Sequence, residues 1–252
     1  MIDTTNLDEF KNNFGIVRLI GERLILVIRY ILNTQLFSKF ILRKLDFMSL
    51  RIHLGKDFLS PIEHFVLDGY TEKLFMNLKL NREDTAIVLG GYKGDSASKL
   101  LRYDCKVIIF EPVPEYARIL TSRFKDEKVD VIERAVSNRD GNYVIFLNGE
   151  ATSSLVQSEK RIVVKCLNFS KYIKKIGRIS FLEVNIEGGE YDLILNLIKT
   201  GKIYNIQILI IQFHKYSLES ELKRAKIRNL LQATHSEVYC YDWVWERWDI
   251  KS

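Results

Sequence analysis

"VLGGYKGDSASKLL", residues 88–101, decides the fold. A short branched-apolar run enters it, three glycines turn it, and an amphipathic stretch leaves it. That pattern reads as a strand, a tight turn and a helix. The same order recurs downstream. "TAIVL" (85–89) predicts a strand and 95–103 a helix; "KVIIF" (106–110) predicts a strand and 114–124 a helix; "VDVI" (129–132) predicts a strand. "FLEVNI" (181–186) precedes a helix over 189–199, and "IQILIIQF" (206–213) precedes one over 218–232. Strands that alternate with helices build a parallel sheet covered on both faces. "GNYVIFLN" (141–148) and "RIVVKCL" (161–167) interrupt the series as extra strands around a polar "GEATSS" loop. The end, "EVYCYDWVWERWDI" (237–250), has no helical period and predicts two strands that close the sheet edge as a hairpin. The expected body is one α/β domain over residues 81–252.

Composition narrows the partners. The chain has 252 residues, 47% hydrophobic and 28% charged, which excludes a disordered protein. Its net charge of +6 is uneven. Residues 14–45 hold Arg18, Arg23, Arg29, Lys39, Arg43 and Lys44 against the single acid Glu22, so the rest of the chain is nearly neutral. A nucleic-acid reader would carry a broad basic face, and none is visible. The basic excess sits in an apolar segment with Arg18, Glu22, Arg29 and Asn33 on one helical face. Its longest uncharged run, residues 30–38, falls well short of the roughly 20 residues of a membrane span. Residues 1–80 are therefore expected to be helical, and to pack on the body, dimerise, or rest on an anionic membrane surface. Cys105, Cys166 and Cys240 are far apart and read as thiols of a reducing compartment. Asp3, Asp8 and Glu9 stand where a secretory leader would be basic. The expected location is cytoplasmic, with peripheral contact at the inner face of the membrane as the alternative.

Chemistry is expected at the carboxyl ends of the strands, where the strand order reverses. Gly90, Gly91 and Gly94 follow the first strand, and Asp95 follows them. The spacing G-G-x-x-G departs from that of a dinucleotide fold, and alone it also suits a plain turn. Glu111 and Pro112 end the second strand, about twenty residues on, where an acid can accept ribose hydroxyls. The other reading of Glu111 is a surface acid capping the next helix. Arg134, Ala135 and Val136 follow the third strand and can flank a base. Asn185 and Glu187 alternate toward one side of the fourth strand's end, with Glu190 on the helix beyond. His214 tips the fifth, as a proton acceptor or as a satisfied histidine. Strand alternation puts Trp243 and Trp245 on one face, where they line an acceptor or pack on helices. Ser154 of the "GEATSS" loop is a further candidate for the acceptor side. Too few hard oxygen ligands converge to predict a metal.

Taken in order, "VLGGYKGD", "IFEPVPE", "ERAVSNRDG", "EVNIEGGEYDLI", "IQFH" and "WVWERW" resemble the FkbM family of S-adenosylmethionine-dependent methyltransferases, over about residues 80–252. The resemblance implies a class I methyltransferase fold: a seven-stranded, mostly parallel sheet with its last strand antiparallel, behind a helical N-terminal region. It implies S-adenosylmethionine as cofactor, with Gly90, Gly91 and Gly94 against its methionine part, Glu111 on the ribose, and Arg134, Ala135 and Val136 along the adenine. Asn185 and Glu187 would lie near the transferred methyl and the acceptor hydroxyl, with His214 as base. The implied acceptor is a sugar, a glycan precursor or a related metabolite. Val88 departs from the family, which usually has Asp there. Asp95 or Glu187 is then expected to supply the missing charge, or cofactor binding is weak. Two other readings stay open: an NAD-type oxidoreductase, and a saccharide-binding relative without turnover.

Overall fold

The computed structural model describes residues 60–69, 71–148, 151–153 and 161–251. The basic segment 14–45 and Ser154 lie outside them. The chain divides into two compact units, Met1–Lys73 and Leu74–Ser252. In the first, helix α1 (Pro61–Leu67) starts with proline in its first turn, where the missing amide costs nothing. The Ser60 amide donates to Glu63, 2.7 Å away, which closes that end. A single turn, α2 (Thr71–Leu74), follows. Among the described residues no helix is long and apolar enough to cross a membrane.

The second unit opens with β1 (Thr85–Leu89), α3 (Asp95–Leu100), β2 (Lys106–Phe110), α4 (Pro114–Arg123) and β3 (Val129–Ile132). These are the expected elements in the expected places. Next come β4 (Ala135–Ser137), β5 (Gly141–Asn148), β6 (Ala151–Ser153), β7 (Arg161–Asn168) and α5 (Phe169–Ile176). The chain ends with β8 (Ile179–Val184), α6 (Glu190–Lys199), β9 (Ile206–Ile211), α7 (Leu218–Leu231), β10 (His235–Tyr241) and β11 (Trp245–Ile250).

Seven strands form one sheet in the order β10-β11-β9-β8-β1-β2-β3. β1 pairs in parallel with β2 and β8, and β8 with β9, while β11 runs antiparallel to both its neighbours. The fold is thus the expected mostly parallel seven-stranded sheet with a C-terminal antiparallel hairpin. All six residues of β8 and the last four of β1 are buried, as strands covered on both faces must be. Ile87, Leu89, Leu182, Val184, Leu209 and Trp248 share a core with α5, α6 and α7. The chain steps from β1 outward to β3, then returns to the far side of β1 with β8. The order therefore reverses between β1 and β8, and the crevice beyond their ends is the natural ligand site.

The structure adds to or corrects the expectations at four points. The extra strands β5 and β7 stand outside the main sheet, in a second one ordered β4-β7-β5-β6. Part of the "GEATSS" loop is strand, since Ala151–Ser153 pairs back on β5. Helix α5 was not expected, although Asn168 caps it by accepting from the Lys171 amide, and Phe169 and Ile173 are fully buried on one face. Its eight residues are too short for the period to stand out from the strands on either side. Finally, Trp243 and Trp245 do not share a strand face. Trp243 lies in the turn between β10 and β11 at φ +60°, and only Trp245 belongs to β11.

Candidate active site

The glycine loop closes tightly on both sides. Gly90 sits at φ +91°, and a Cβ there would stand 2.0 Å from the main-chain oxygen of Asn185. No side chain fits, so the backbone itself faces the crevice. Gly94, also at φ +91°, begins α3 and packs against Phe124 and Leu120. Between them Tyr92 takes the left-handed region at φ +44°, and its amide donates to Glu111 Oε2 at 2.9 Å.

Glu111 is 4% exposed, which removes the reading of a surface acid. Its Oε1 accepts from the Val113 amide at 2.9 Å. Burial pushes its pKa up, against the amides of Val113, Tyr92 and Gly91, which pull it down. A carboxylate has about four acceptor positions, and three amides leave about one for a ligand. Glu111 and Pro112 line a cleft with Gly90, Arg134, Ala135, Val136 and Asn185. Seven residues singled out from the sequence thus converge on one cleft, together with Tyr143, Ile145 and Ile186, which were not anticipated. The Asn185 Oδ1 is buried there without a hydrogen-bond partner. Such an orphan is costly unless a ligand or water satisfies it. Gly91 packs on Ile109 and Leu120 just behind the cleft. Asp95 is placed elsewhere: its side chain is 84% exposed and pairs with Arg123 at 3.1 Å. It does not supply a charge to the cleft.

β8 ends at Val184, two residues earlier than expected, so Glu187 is not placed by strand alternation. It is turned by its own backbone, at φ +51°, into a conformation that non-glycine residues rarely hold. This aims its carboxylate at His214: Oε1 lies 3.3 Å from Nε2. Glu190, fully buried, takes the other side. Its Oε1 is 3.1 Å from His214 Nδ1 and accepts from the His214 amide at 2.8 Å, while Oε2 accepts from the Gly188 amide at 2.7 Å. Tyr191 donates its hydroxyl to the His214 carbonyl at 2.6 Å. Both ring nitrogens therefore face carboxyl oxygens, an arrangement that favours a ring protonated on both. Burial alone would push the imidazole pKa down, but the hydrogen bonds and charges of Glu187 and Glu190 outweigh it and raise it to about 9. The two acids thus favour the protonated imidazole at neutral pH, above the value near 6.5 expected of a neutral base.

Glu187 is the more open end of this cluster, 29% exposed, and its Oε2 accepts from the Tyr216 hydroxyl at 3.3 Å. Tyr216 lines a second cavity of about 440 Å³, with Ser137, Asn138, Arg139, Tyr143, Ser217 and Lys223 among its walls. Tyr143 and Gly189 belong to both cavities, so the two adjoin. Neither tyrosine carries a signal in the sequence. Tyr216 sits among polar loop residues and Tyr143 in an ordinary strand, and only the second sheet brings Tyr143 to the seam. Trp243 and Trp245 line neither cavity. The Arg224 guanidinium lies 4.6 Å over the Trp243 ring, while Trp245 is 8% exposed.

The profile of the methyltransferase FkbM domain matches residues 89–239, more than half of the chain. Compared by sequence with curated proteins, the chain matches none. Among solved structures it is similar to an rRNA methylase from Streptococcus thermophilus (12% identity, TM-score 0.44, covering 77% of this chain and 99% of that one). It is also similar to fibrillarin from Aeropyrum pernix, solved with bound S-adenosyl-L-methionine (12% identity, TM-score 0.43, covering 70% of each chain). Likeness at this level says nothing about substrate. The matched span runs from the end of β1 into β10 and takes in the glycine loop, Glu111, Asn185, Glu187 and His214, so the chain belongs to the FkbM methyltransferase family.

Proposed function

We propose that the protein transfers the methyl group of S-adenosylmethionine to a hydroxyl of a sugar or glycan precursor. The observation that carries this is the cleft at the switch point, where Gly90, Glu111 and the orphaned Asn185 Oδ1 converge. These residues fit the cofactor. The bare backbone at Gly90 admits close approach, Glu111 keeps an acceptor position for a ribose hydroxyl, and Asn185 Oδ1 awaits an N–H donor. When bound, S-adenosylmethionine supplies an activated methyl, so the protein's share is alignment and removal of one proton.

That proton has a path. The acceptor occupies the 440 Å³ cavity, whose serines, asparagine, tyrosines and charges of both signs suit a polyhydroxylated ring. Tyr216 takes the hydroxyl proton and passes its own to Glu187, the exposed end of the cluster. His214, already protonated, steadies Glu187 and is a positioning residue at neutral pH. The Trp243 and Trp245 candidates give way in this role to Tyr143 and Tyr216. Titration calorimetry tests the cofactor half. S-adenosylhomocysteine is expected to bind; tight NAD(H) binding with none of S-adenosylhomocysteine would overturn the reading in favour of an oxidoreductase.

The basic excess of residues 14–45 supports peripheral contact at an anionic membrane, which would bring the enzyme to lipid-linked saccharides, and the three separate cysteines support the cytoplasmic side. Deleting residues 1–45 is expected to abolish sedimentation with vesicles containing phosphatidylserine. Equal sedimentation of the truncated and full chains would remove the membrane role and leave packing or dimerisation.

A further inference from the structure

The four central strands, β9, β8, β1 and β2, hold a single acid, Glu183. It lies in mid-sheet, in register with Val88 on β1 and Ile210 on β9, and is 3% exposed. A carboxyl in an apolar strand is costly unless it is hydrogen-bonded. Glu183 makes one such bond: its Oε1 accepts from the Ser96 hydroxyl at 2.8 Å. Its Oε2 is buried without a partner, as is the Tyr239 hydroxyl of β10. An apolar residue would build this strand more cheaply, so the carboxyl calls for an explanation in what it holds.

What it holds is the exit of the glycine loop. Ser96 is the second residue of α3, directly after Gly94 and Asp95. On the α4 side the loop is fastened at the surface by Arg123, which donates to the Lys93 carbonyl and to Ser98 Oγ. On the β8 side, the Asn185 amide donates to the Leu89 carbonyl at 3.0 Å, and Glu183 grips Ser96. β1 itself offers no polar side chain here, because Val88 is apolar and 1% exposed. Glu187, the other acid considered for that task, is committed to His214.

We propose that Glu183 is a positioning residue that latches the glycine loop to β8, the strand that carries Asn185 and Glu187 just past its end, so that both walls of the cofactor cleft keep one spacing. The acid absent from the end of β1 is supplied by the neighbouring strand. The inference rests on reading the cleft as a cofactor site. Burial raises the Glu183 pKa to about 7, against the Ser96 hydrogen bond and the Lys99 charge, so the latch works with a carboxyl near its midpoint at neutral pH.

Two measurements on the full chain test the latch. Hydrogen exchange in the ligand-free protein reads the amides of residues 90–100, and calorimetry reads S-adenosylhomocysteine affinity. Ser96→Ala removes the donor, and Glu183→Leu removes the acceptor while keeping the strand apolar. Each is expected to speed exchange about tenfold and weaken affinity about tenfold, the equivalent of one hydrogen bond. Glu183→Gln keeps an oxygen for Ser96 and is expected to restore both, which a merely structural acid would not require. Exchange and affinity unchanged in Ser96→Ala and Glu183→Leu overturn the latch. Faster exchange in a protein whose wild type binds no S-adenosylhomocysteine overturns the cofactor reading and leaves the latch.

Discussion

Gly90→Ala is expected to abolish cofactor binding and to destabilise the domain at the same time. Two costs combine. A left-handed backbone costs an alanine roughly 1–2 kcal/mol relative to glycine. The new methyl would also stand 2.0 Å from the Asn185 oxygen, a main-chain atom that cannot rotate away. Asn185 is tied by its amide to Leu89 at 3.0 Å, so relief means parting the ends of β1 and β8. The total is about 3 kcal/mol or more, a melting temperature lower by roughly 6–12 °C in a domain of this size. Parting those strands also spreads Gly90 from Asn185, so the affinity for S-adenosylhomocysteine should fall at least about 100-fold, close to 2.7 kcal/mol. Gly141→Ala is the control. Its φ of +134° is also positive, but nothing lies within 4 Å of the added methyl, so only backbone strain remains. If both variants melt alike, the close approach of β1 and β8 is not what the glycine serves.

His214 is expected to titrate near pH 9, followed by imidazole NMR. Its folded pKa is raised above the unfolded value of 6.5. Its contribution to stability is therefore fully present below pH 6.5 and is lost as the pH rises through 9. The full contribution is on the order of 3 kcal/mol, since each tenfold gain in proton affinity is worth about 1.4 kcal/mol. Melting temperature should accordingly fall between about pH 7 and 10. Glu187→Gln removes one of the two flanking charges and should make the imidazole at least about tenfold more acidic. A midpoint that stays near 6.5 in the wild type would restore His214 as a neutral base and displace Glu187. For the reaction, His214→Ala is expected to reduce methyl transfer at least about 100-fold, because Glu187, the proton acceptor, loses the imidazolium that positions it. Affinity for S-adenosylhomocysteine should change little, because His214 lines neither cavity.

Much of this is legible in the chain read as letters. The turn at 90–94, the acid at 111 and the three residues at 134–136 each follow a strand, and one sheet carries all their strand ends to one edge. Period and punctuation suffice for that, because a buried parallel strand is a run of branched apolar residues. Residues with no periodic signal escape such a reading. Tyr143 and Tyr216 look like ordinary surface residues of a strand and a loop, yet the first lies at the seam of the two cavities and the second joins one of them to Glu187. Trp243 and Trp245 draw attention by type, but a turn at Trp243 breaks the alternation that would group them.

The sequence by itself determined the sheet, the glycine turn, the family and the cleft, since these depend on local pattern and on residues fixed in order along the chain. Only the tertiary structure decided what each acid does. Asp95 is spent on Arg123 at the surface, Glu187 and Glu190 hold a proton on His214, and Glu183 reaches Ser96 from the adjacent strand. The physical reason is that a carboxyl's pKa and role come from the partners and burial that surround it. Those partners lie 24 to 87 residues away along the chain.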